Sequence, residues 1–454
     1  MTALTEARPA RAATGMTPRQ KLVLTLLLGA QFMLAIDFSI LNVAMPAVGA
    51  GLGFGLGSLQ WIATAFALPA AGLTLLFGRV ADLVGRRRML LLGMALLAAG
   101  SLLGGLAANP ALLLAGRVLQ GLATAIATPA ALSLITTSFA EGPLRARALG
   151  LSGALMSAGF TVGAVLGGVL TDLLSWRWAF LVNVPVALLV LAVTSAVITE
   201  SRDGGRARLD VPGAVTVTGG LLALVLGITT WAWALPVAAV LLVLFVLAER
   251  RAAAPLVPLG VLTKRTVAWG NAGGFIAFAT ETSLVFLMTL YLQRVLGYSP
   301  LATGLALAVL GAGTVSGGIA APRIMGRLGG RATLAAGLTL QAVATAALAG
   351  LGGTHASLPL LLVATAVGGF GNLVAIVAFM GTATSGLPDG EQGLATGLAT
   401  MTQQVAITLG IPVMSAVATA GSVGVLTGVH TATLVNAAVA LLGAGLALAF
   451  LKRR

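Results

Sequence analysis

Three ionisable side chains stand inside long apolar stretches. Asp37 lies in LLLGAQFMLAIDFSILNVAMP (26–46), Arg117 in LAGRVLQGLATAIATPAAL (114–132) and Glu281 in GNAGGFIAFATETSLVFLMTLY (270–291). A charge at the centre of a membrane helix costs about 2.5–3.5 kcal/mol on insertion scales, so one that persists usually faces a cavity or a partner. Glu281 falls near the centre of its stretch, and Asn271, Phe275 and Phe278 share its broad side at helical spacing. Ionising a carboxyl in apolar surroundings is costly, so such a group can hold a proton. It can also attract a cation between aromatic rings. A hydrogen bond between helices is the alternative. Asp37 lies sixteen residues past Lys21, roughly 24 Å along a helix. A direct proton role and a helix-packing role are both open to it. Arg117 would favour the ionised form of a nearby carboxylate, or simply pair with one.

A second kind of chemistry is electrostatic. Residues 77–90, FGRVADLVGRRRML, hold five charges in a chain of which only 8% is Asp, Glu, Lys or Arg. The cluster anchors two helix ends at a membrane surface. Gly78, Asp82, Gly85 and Arg86 suggest more, since a carboxylate is stabilised by an Arg and near a helix N-terminus and glycines allow close backbone approach. A solvated interfacial cluster is the alternative. Gly159, Gly163 and Gly167 form a small-residue ridge of the kind that lets membrane helices pack closely. On spacing alone it reads as ordinary helix packing. Gln60, Gln120, Asn372, Gln403 and Gln404 are uncharged candidates for a cavity wall, or for bonds between helices.

The elements that must position these residues follow from composition. The 454-residue chain is 58% hydrophobic, with a mean hydropathy of +1.04. Soluble domains are about 25% charged, so an all-α integral membrane protein is the class that fits. A net charge of +14 is spread in short clusters between apolar runs rather than gathered on one face, which argues against nucleic acid. With no Cys and two His, disulfides, thiolate metal sites and His-based catalysis are not expected. No GxxxxGK[ST] motif and no nucleophile–base constellation is present, so neither a cofactor nor enzyme activity is expected.

Polar breaks divide the chain into fourteen segments near the ~20 residues that a span needs: 22–45, 58–78, 89–107, 111–139, 147–171, 178–198, 211–229, 232–248, 267–292, 301–322, 332–351, 358–384, 393–419 and 430–451. If the N-terminus is cytoplasmic, all but Arg117, Arg177 and Arg294 of the 26 Lys and Arg fall on the inside. That bias places both termini in the cytoplasm. The division expected is a disordered tail at 1–21, a six-helix bundle at 22–198, a linker with two extra helices at 199–265, a second six-helix bundle at 266–451 and a tail at 452–454. A basic, Gly-containing loop follows the second span of each bundle, FGRVADLVGRRRML in one and RIMGRLGGR (323–331) in the other, without the acid. Matching positions suggest a duplicated transporter with its site at the repeat interface.

FGRVADLVGRRRML resembles the signature loop of the major facilitator superfamily. IDFSILNVAMP (36–46), LQWIATAF (59–66), LAGRVLQGLATAIATPAAL, WRWAFLVNVP (176–185) and YLQRVLGYSP (291–300) are similar to motifs of its fourteen-span drug:proton antiporters. The resemblance covers nearly the whole chain. It implies a major facilitator fold, two six-helix bundles with two additional transmembrane helices between them. It also implies that Arg117 couples protonation to conformation, and that Asp82 latches an inner gate by pairing with Arg86 or capping a helix of the other half. Through the fifth-span motif it implies that the ridge of Gly159, Gly163 and Gly167 is a sliding or occluding seam between two halves of the molecule. Two residues depart from the family pattern. Ala164 follows Gly163 where a Pro is usual in the fifth-span antiporter motif, GFTVGAVLGG (159–168), and Phe66 stands where a Tyr is expected.

The expected function is export of lipophilic small molecules, cationic ones among them, in exchange for protons, by a monomer in a bacterial cytoplasmic membrane. Asp37, Glu281 and Arg117 are the expected proton-coupling residues. Gly78, Asp82, Gly85, Arg86, Gly159, Gly163 and Gly167 are the expected gate. Gln60, Gln120, Asn271, Phe275, Phe278, Asn372 and Gln404 are the expected substrate contacts. Proton-coupled uptake and a non-transporting membrane sensor or scaffold are the alternatives.

Overall fold

The computed structural model describes residues 16–55, 58–139, 143–201, 210–229, 231–252, 255–256, 260, 264–383, 389–420 and 424–451. Residues 1–15 of the expected tail at 1–21, the tail at 452–454, and Arg202, Arg206 and Arg208 of the expected linker lie outside them, while residues 18–21 of the first tail already belong to a helix. Helices and turns make up the described residues, with no strand among them. In lipid no water satisfies the backbone, and a helix closes every peptide bond on its own segment.

In chain order the helices are α1 (Pro18–Leu52), α2 (Trp61–Val84), α3 (Arg86–Gly105), α4 (Pro110–Ser138), α5 (Pro143–Leu173), α6 (Trp178–Leu181), α7 (Asn183–Val197), α8 (Val211–Thr229), α9 (Ala234–Arg251), α10 (Arg265–Leu290), α11 (Pro300–Ala347), α12 (Leu358–Ala383), α13 (Asp389–Thr419) and α14 (Val425–Phe450). A π-helical turn, Tyr291–Val295, extends α10. Three helices start on the same local chemistry, a capping side chain followed by Pro. Thr17 caps α1 before Pro18, Asn109 caps α4 before Pro110, and Ser299 caps α11 before Pro300. The side chain satisfies an orphan N–H, and the Pro has none to lose.

By length and hydropathy, ten helices among the described residues can cross a membrane, or eleven if the bent α2 counts as one span. Fourteen spans were expected; α9, which ends in Glu249, Arg250 and Arg251, and the described apolar part of α5, Ala158–Leu173, fall short of this measure, and α11 is counted once. Segments 301–322 and 332–351 are two helices that meet at a kink at Gly329, where φ is 75° and the backbone is not helical; they are labelled together as α11. Within α2 the axis bends by 56° between Trp61–Thr74 and Leu76–Val84. There the Thr74 hydroxyl donates back to the Ala70 carbonyl, a bond that bends helices.

Helices α1–α7 pack on one another, as do α10–α14. The two groups meet along α5 against α11, α2 against α13 and α1 against α10, and the α8–α9 hairpin lies on α2 and α13. Among the described residues, their apolar cores are joined at one end only. Ile40, Val43 and Val48 of α1 share a cluster with Leu284 and Leu287 of α10 and Ile411 of α13. Toward the ends where α1 starts and α14 finishes, the first group has its own core around Leu27, Leu90 and Ile126, and the second its own around Leu334, Phe379 and Ala447. The described residues are therefore closed at the end remote from the helix termini Pro18 and Phe450. At the near end the two groups have separate cores.

Candidate functional site

The structure divides the three intramembrane charges between two compartments. The first is sealed. Asp37 is 0% exposed and Arg117 1%, with the Arg117 Nη1 3.6 Å from the Asp37 Oδ2. Asp37 Oδ1 accepts from Gln120 Nε2 at 2.7 Å and from Asn183 Nδ2. Both amides also donate to Ser101 Oγ, at 2.9 and 3.2 Å. Arg117 donates Nη1 to Gln120 Oε1 at 2.9 Å and Nε to the Ile62 carbonyl at 3.0 Å, and its guanidinium lies 4.3 Å from the centre of the Phe66 ring. Five helices, α1, α2, α3, α4 and α7, thus meet at one carboxylate and one guanidinium. Asp37 Oδ2 has no hydrogen-bond donor, so a lone pair beside Arg117 stays open.

The second compartment is a cavity of about 230 Å³ between the two helix groups. Phe38, Phe66 and Phe160 line it from the first group, and Phe278, Glu281 and Gln404 from the second. Glu281 is the one ionisable side chain among the described lining residues. It is partly exposed and makes no hydrogen bond or ion pair with the described residues. Hydroxyls and amides supply the remaining polarity, among them Thr124, Thr282, Thr408, Gln31 and Gln403. The Phe38 ring centre lies 5.7 Å from Phe66 and 5.8 Å from Phe160, an aromatic wall on one side of the space.

Of the expected substrate contacts, Phe278 and Gln404 line this cavity and five residues do not. Gln120 belongs to the Asp37 network. Gln60 is buried at the start of α2. Asn271 donates to the Val267 carbonyl and accepts from Thr402, each at 2.7 Å. Phe275 packs in the apolar core of the second group. Asn372 donates to the Ala277 carbonyl at 2.9 Å and to Gln341 at 3.3 Å. Helical spacing put Asn271, Phe275, Phe278 and Glu281 on one broad side. Only its outer part, Phe278 and Glu281, reaches the space, because α12 and α13 cover the rest.

The signature loop is tied down locally. Arg86 donates Nε and Nη2 to Asp82 Oδ1 at 3.0 and 2.8 Å, and Asp82 makes no bond to α10–α14 among the described residues. Gly85 has φ 127°, a conformation that side chains rarely adopt, and the carboxyl carbon of Glu200 sits 2.6 Å from where its Cβ would be. That carboxylate accepts from the Arg87 and Arg88 N–H groups at 3.0 and 3.2 Å and so caps α3. Arg86 also reaches Ser201 Oγ at 3.2 Å. Gly78 serves less than expected, since a Cβ there would meet Pro129 at an ordinary 3.5 Å.

The glycine ridge of α5 lies elsewhere than expected. Cβ atoms at Gly159, Gly163 and Gly167 would strike Ala35, Ser39 and the Ile40 carbonyl of α1, inside the first helix group. The face toward the second group is the neighbouring one. Gly168 meets the Pro300 carbonyl, and Gly304 meets the Ala164 carbonyl, each within 3 Å of the missing Cβ. A stripe at four-residue spacing identifies a close contact but not which neighbour it faces.

Sequence reasoning did not single out Ser101, Asn183, Glu200 or the cavity rings Phe38 and Phe160. Asn183 and Phe38 lay in plain view within WRWAFLVNVP and IDFSILNVAMP.

The sequence pattern of the Major Facilitator Superfamily matches residues 27–411, with a second match at 272–454. The cephamycin export protein CmcT of Amycolatopsis lactamdurans is 39% identical over 90% of this chain and 87% of its own length. The puromycin resistance protein pur8 of Streptomyces alboniger is 37% identical over 90% and 84%. The multidrug resistance protein Stp of Mycobacterium tuberculosis is 31% identical over 85% and 73%. Among solved structures, the human organic anion transporter MFSD10 (TETRAN) superposes with a TM-score of 0.66 over 95% of this chain and 100% of its own, at 18% identity. A POT family transporter bound to a thioalcohol-conjugated peptide gives 0.71 over 94% and 95%, at 12% identity. These two speak to the fold alone. The sequence matches run through both helix groups and the cavity between them, and on that ground the chain belongs to the major facilitator superfamily.

Proposed function

We propose that the protein is a drug-efflux transporter that exports lipophilic molecules, cationic ones among them, in exchange for protons. Two of its relatives are a cephamycin export protein and a puromycin resistance protein. The observation that carries the exchange is Glu281, an unpartnered carboxylate facing an otherwise uncharged cavity among the described residues. A proton and a cationic cargo would compete for it. In this reading α1–α7 and α10–α14 are the two six-span bundles, α8–α9 is the inserted pair, and the bundles rock about the cavity. The joined core at the remote end is then the closed outer gate, with the Gln293 amide donating to the Val43 carbonyl at 2.9 Å across it. Both termini are cytoplasmic on the charge bias of the loops. The membrane potential adds about 2.3 kcal/mol per 100 mV for each net charge moved, as when a neutral cargo is exchanged for a proton; one proton for one monovalent cation draws on the pH gradient alone.

Inverted vesicles test this. They are energised so that their interior is acidic, a panel of lipophilic cations and neutral antibiotics is added, and a pH-sensitive dye is followed. Substrate-triggered alkalinisation, abolished by Glu281→Gln, is the expected result. Alkalinisation that survives Glu281→Gln and disappears in Asp37→Asn would move the exchange to the sealed pair. Proton movement together with cargo out of the vesicles would reverse the reading to uptake. No response, with ligand binding intact, would favour a sensor.

A further inference from the structure

We propose that Phe66 is a positioning residue that links cargo in the cavity to the buried Asp37–Arg117 pair. The inference rests on the proposed antiport. The two compartments share no lining residue from the polar network, since Asp37, Ser101, Arg117, Gln120 and Asn183 are all absent from the cavity wall. Phe66 touches both. Phe66 is 3% exposed, faces the cavity, and carries the Arg117 guanidinium 4.3 Å from its centre.

The ring is held firmly. Gly121, next to Gln120 on α4, lets α4 lie directly against the Phe66 backbone, whose carbonyl would stand 2.1 Å from a Cβ at 121. Arg117 Nε bonds the carbonyl of Ile62, one helical turn before Phe66. On the cavity side Phe38 touches Phe66, and Phe38 follows Asp37 in sequence. The Arg117 side of the ion pair is thus backed by an aromatic ring that cargo can touch.

The electrostatic consequence has a definite sign. Both faces of an aromatic ring are negative, and a cation is attracted to either. A cationic cargo against the Phe66 and Phe38 wall shares the ring with Arg117. The guanidinium then leans more on Asp37, which favours the ionised carboxylate. In molecules whose Asp37 carries a proton, cargo binding therefore releases it. The charged groups in play are Asp37 on α1, Arg117 on α4 and Glu281 on α10 across the cavity. The contacts from α2, α3 and α7 are neutral, namely the Ile62 carbonyl, Ser101 and Asn183.

The test counts protons released per cargo bound, by calorimetry on purified protein in buffers of different ionisation heat. Tetraphenylphosphonium is the probe, because its charge is permanent. Wild type, Glu281→Gln, Asp37→Asn, Phe66→Leu and Phe66→Tyr are compared. Expected is a partial loss of proton release in Asp37→Asn, the same loss in Phe66→Leu, and retention in Phe66→Tyr, which keeps the ring. A purely structural role for Phe66 would weaken affinity or stability and leave the proton count unchanged. Should Phe66→Leu misfold, Phe66→Met supplies a flexible side chain of similar length without a ring. A wild-type proton count in folded Phe66→Leu or Phe66→Met overturns the proposal. So does a wild-type count in Asp37→Asn, and in that case a loss in Glu281→Gln leaves the antiport reading standing. No proton release or no probe binding in wild type removes the cation-antiport reading and this inference with it.

Discussion

Removing one member of the Asp37–Arg117 pair should destabilise the protein, and removing both should return much of the loss. At 3.6 Å and an effective dielectric near 20, the attraction is about 5 kcal/mol before desolvation is subtracted. Breaking a buried pair from one side typically costs about 3–5 kcal/mol, because a charge is left without its counter-charge. The two single changes should differ. Arg117→Met leaves the Asp37 carboxylate with two neutral amide donors, Gln120 and Asn183. Asp37→Asn leaves Arg117 with the Ile62 carbonyl, Gln120 Oε1 and the Phe66 ring. We expect the full ~3–5 kcal/mol for Arg117→Met and the lower end of that range for Asp37→Asn. The double variant removes both charges and should fall well short of the sum, with a coupling energy of about 2–3 kcal/mol. Reversible unfolding in mixed micelles measures all four corners of the cycle. A coupling energy within about 0.5 kcal/mol of zero, the range of independent sites, would refute the pairing as an energetic unit.

Other perturbations read the remaining parts. Gly85→Ala forces a side chain into φ 127° and against the Glu200 carboxylate; a loss of about 1–3 kcal/mol is expected, read as reduced thermal stability of the purified protein. Asp82→Asn should abolish transport in vesicles while leaving the amount of membrane-inserted protein unchanged, and near-normal transport would remove the latch role. Gly304→Leu places a side chain where the Ala164 carbonyl stands 2.8 Å from the missing Cβ; it should block transport by wedging the seam between the helix groups, measured as lost efflux with cargo binding retained.

Much of the fold was legible because membrane helices are declared by composition. Apolar runs such as 89–107, which follows Arg86, Arg87 and Arg88, or 358–384, which lies between polar loops, fell on helices that the structure places as α3 and α12. The break between 301–322 and 332–351 was legible too, since the basic Gly-containing stretch RIMGRLGGR falls where the backbone leaves the helical region at Gly329. The ionisable residues were also legible, because a charge in an apolar run is conspicuous whatever it touches. Their partners were not. Glu200 follows the apolar run of α7 as ordinary linker sequence, and its capping of α3 exists only because the chain folds back onto the loop at Gly85. Gln120 and Asn372 read as cavity polar groups because their helical faces allowed it. The structure uses them inside the helix groups instead, where a buried amide finds more hydrogen bonds than a cavity offers.

The internal repeat goes further than the two basic loops, and its differences bear on the chemistry. Arg87 follows Gly85 by two residues and donates to the Ser195 carbonyl near the end of α7; Arg331 follows Gly329 by two and donates to the Leu448 carbonyl near the end of α14. Each helix group also has a buried polar cluster on corresponding helices. Asp37, Ser101, Gln120 and Asn183 meet in one, and Thr280, Gln341, Asn372 and Asn436 in the other, where Gln341 bonds the Thr280 hydroxyl at 2.9 Å and Asn436 the Thr280 carbonyl at 2.9 Å. The first cluster contains a carboxylate and a guanidinium. The second, among the described residues, contains nothing that titrates. In α1 the hub is Asp37 and the next residue, Phe38, faces the cavity; in α10 the hub is Thr280 and the next residue, Glu281, faces it. The acid is displaced by one position between the two helices, about 100° around the axis. That single step separates a carboxylate locked among helix partners from one open to cargo. A proton on Asp37 alters packing within one group, whereas a proton on Glu281 alters what the cavity holds.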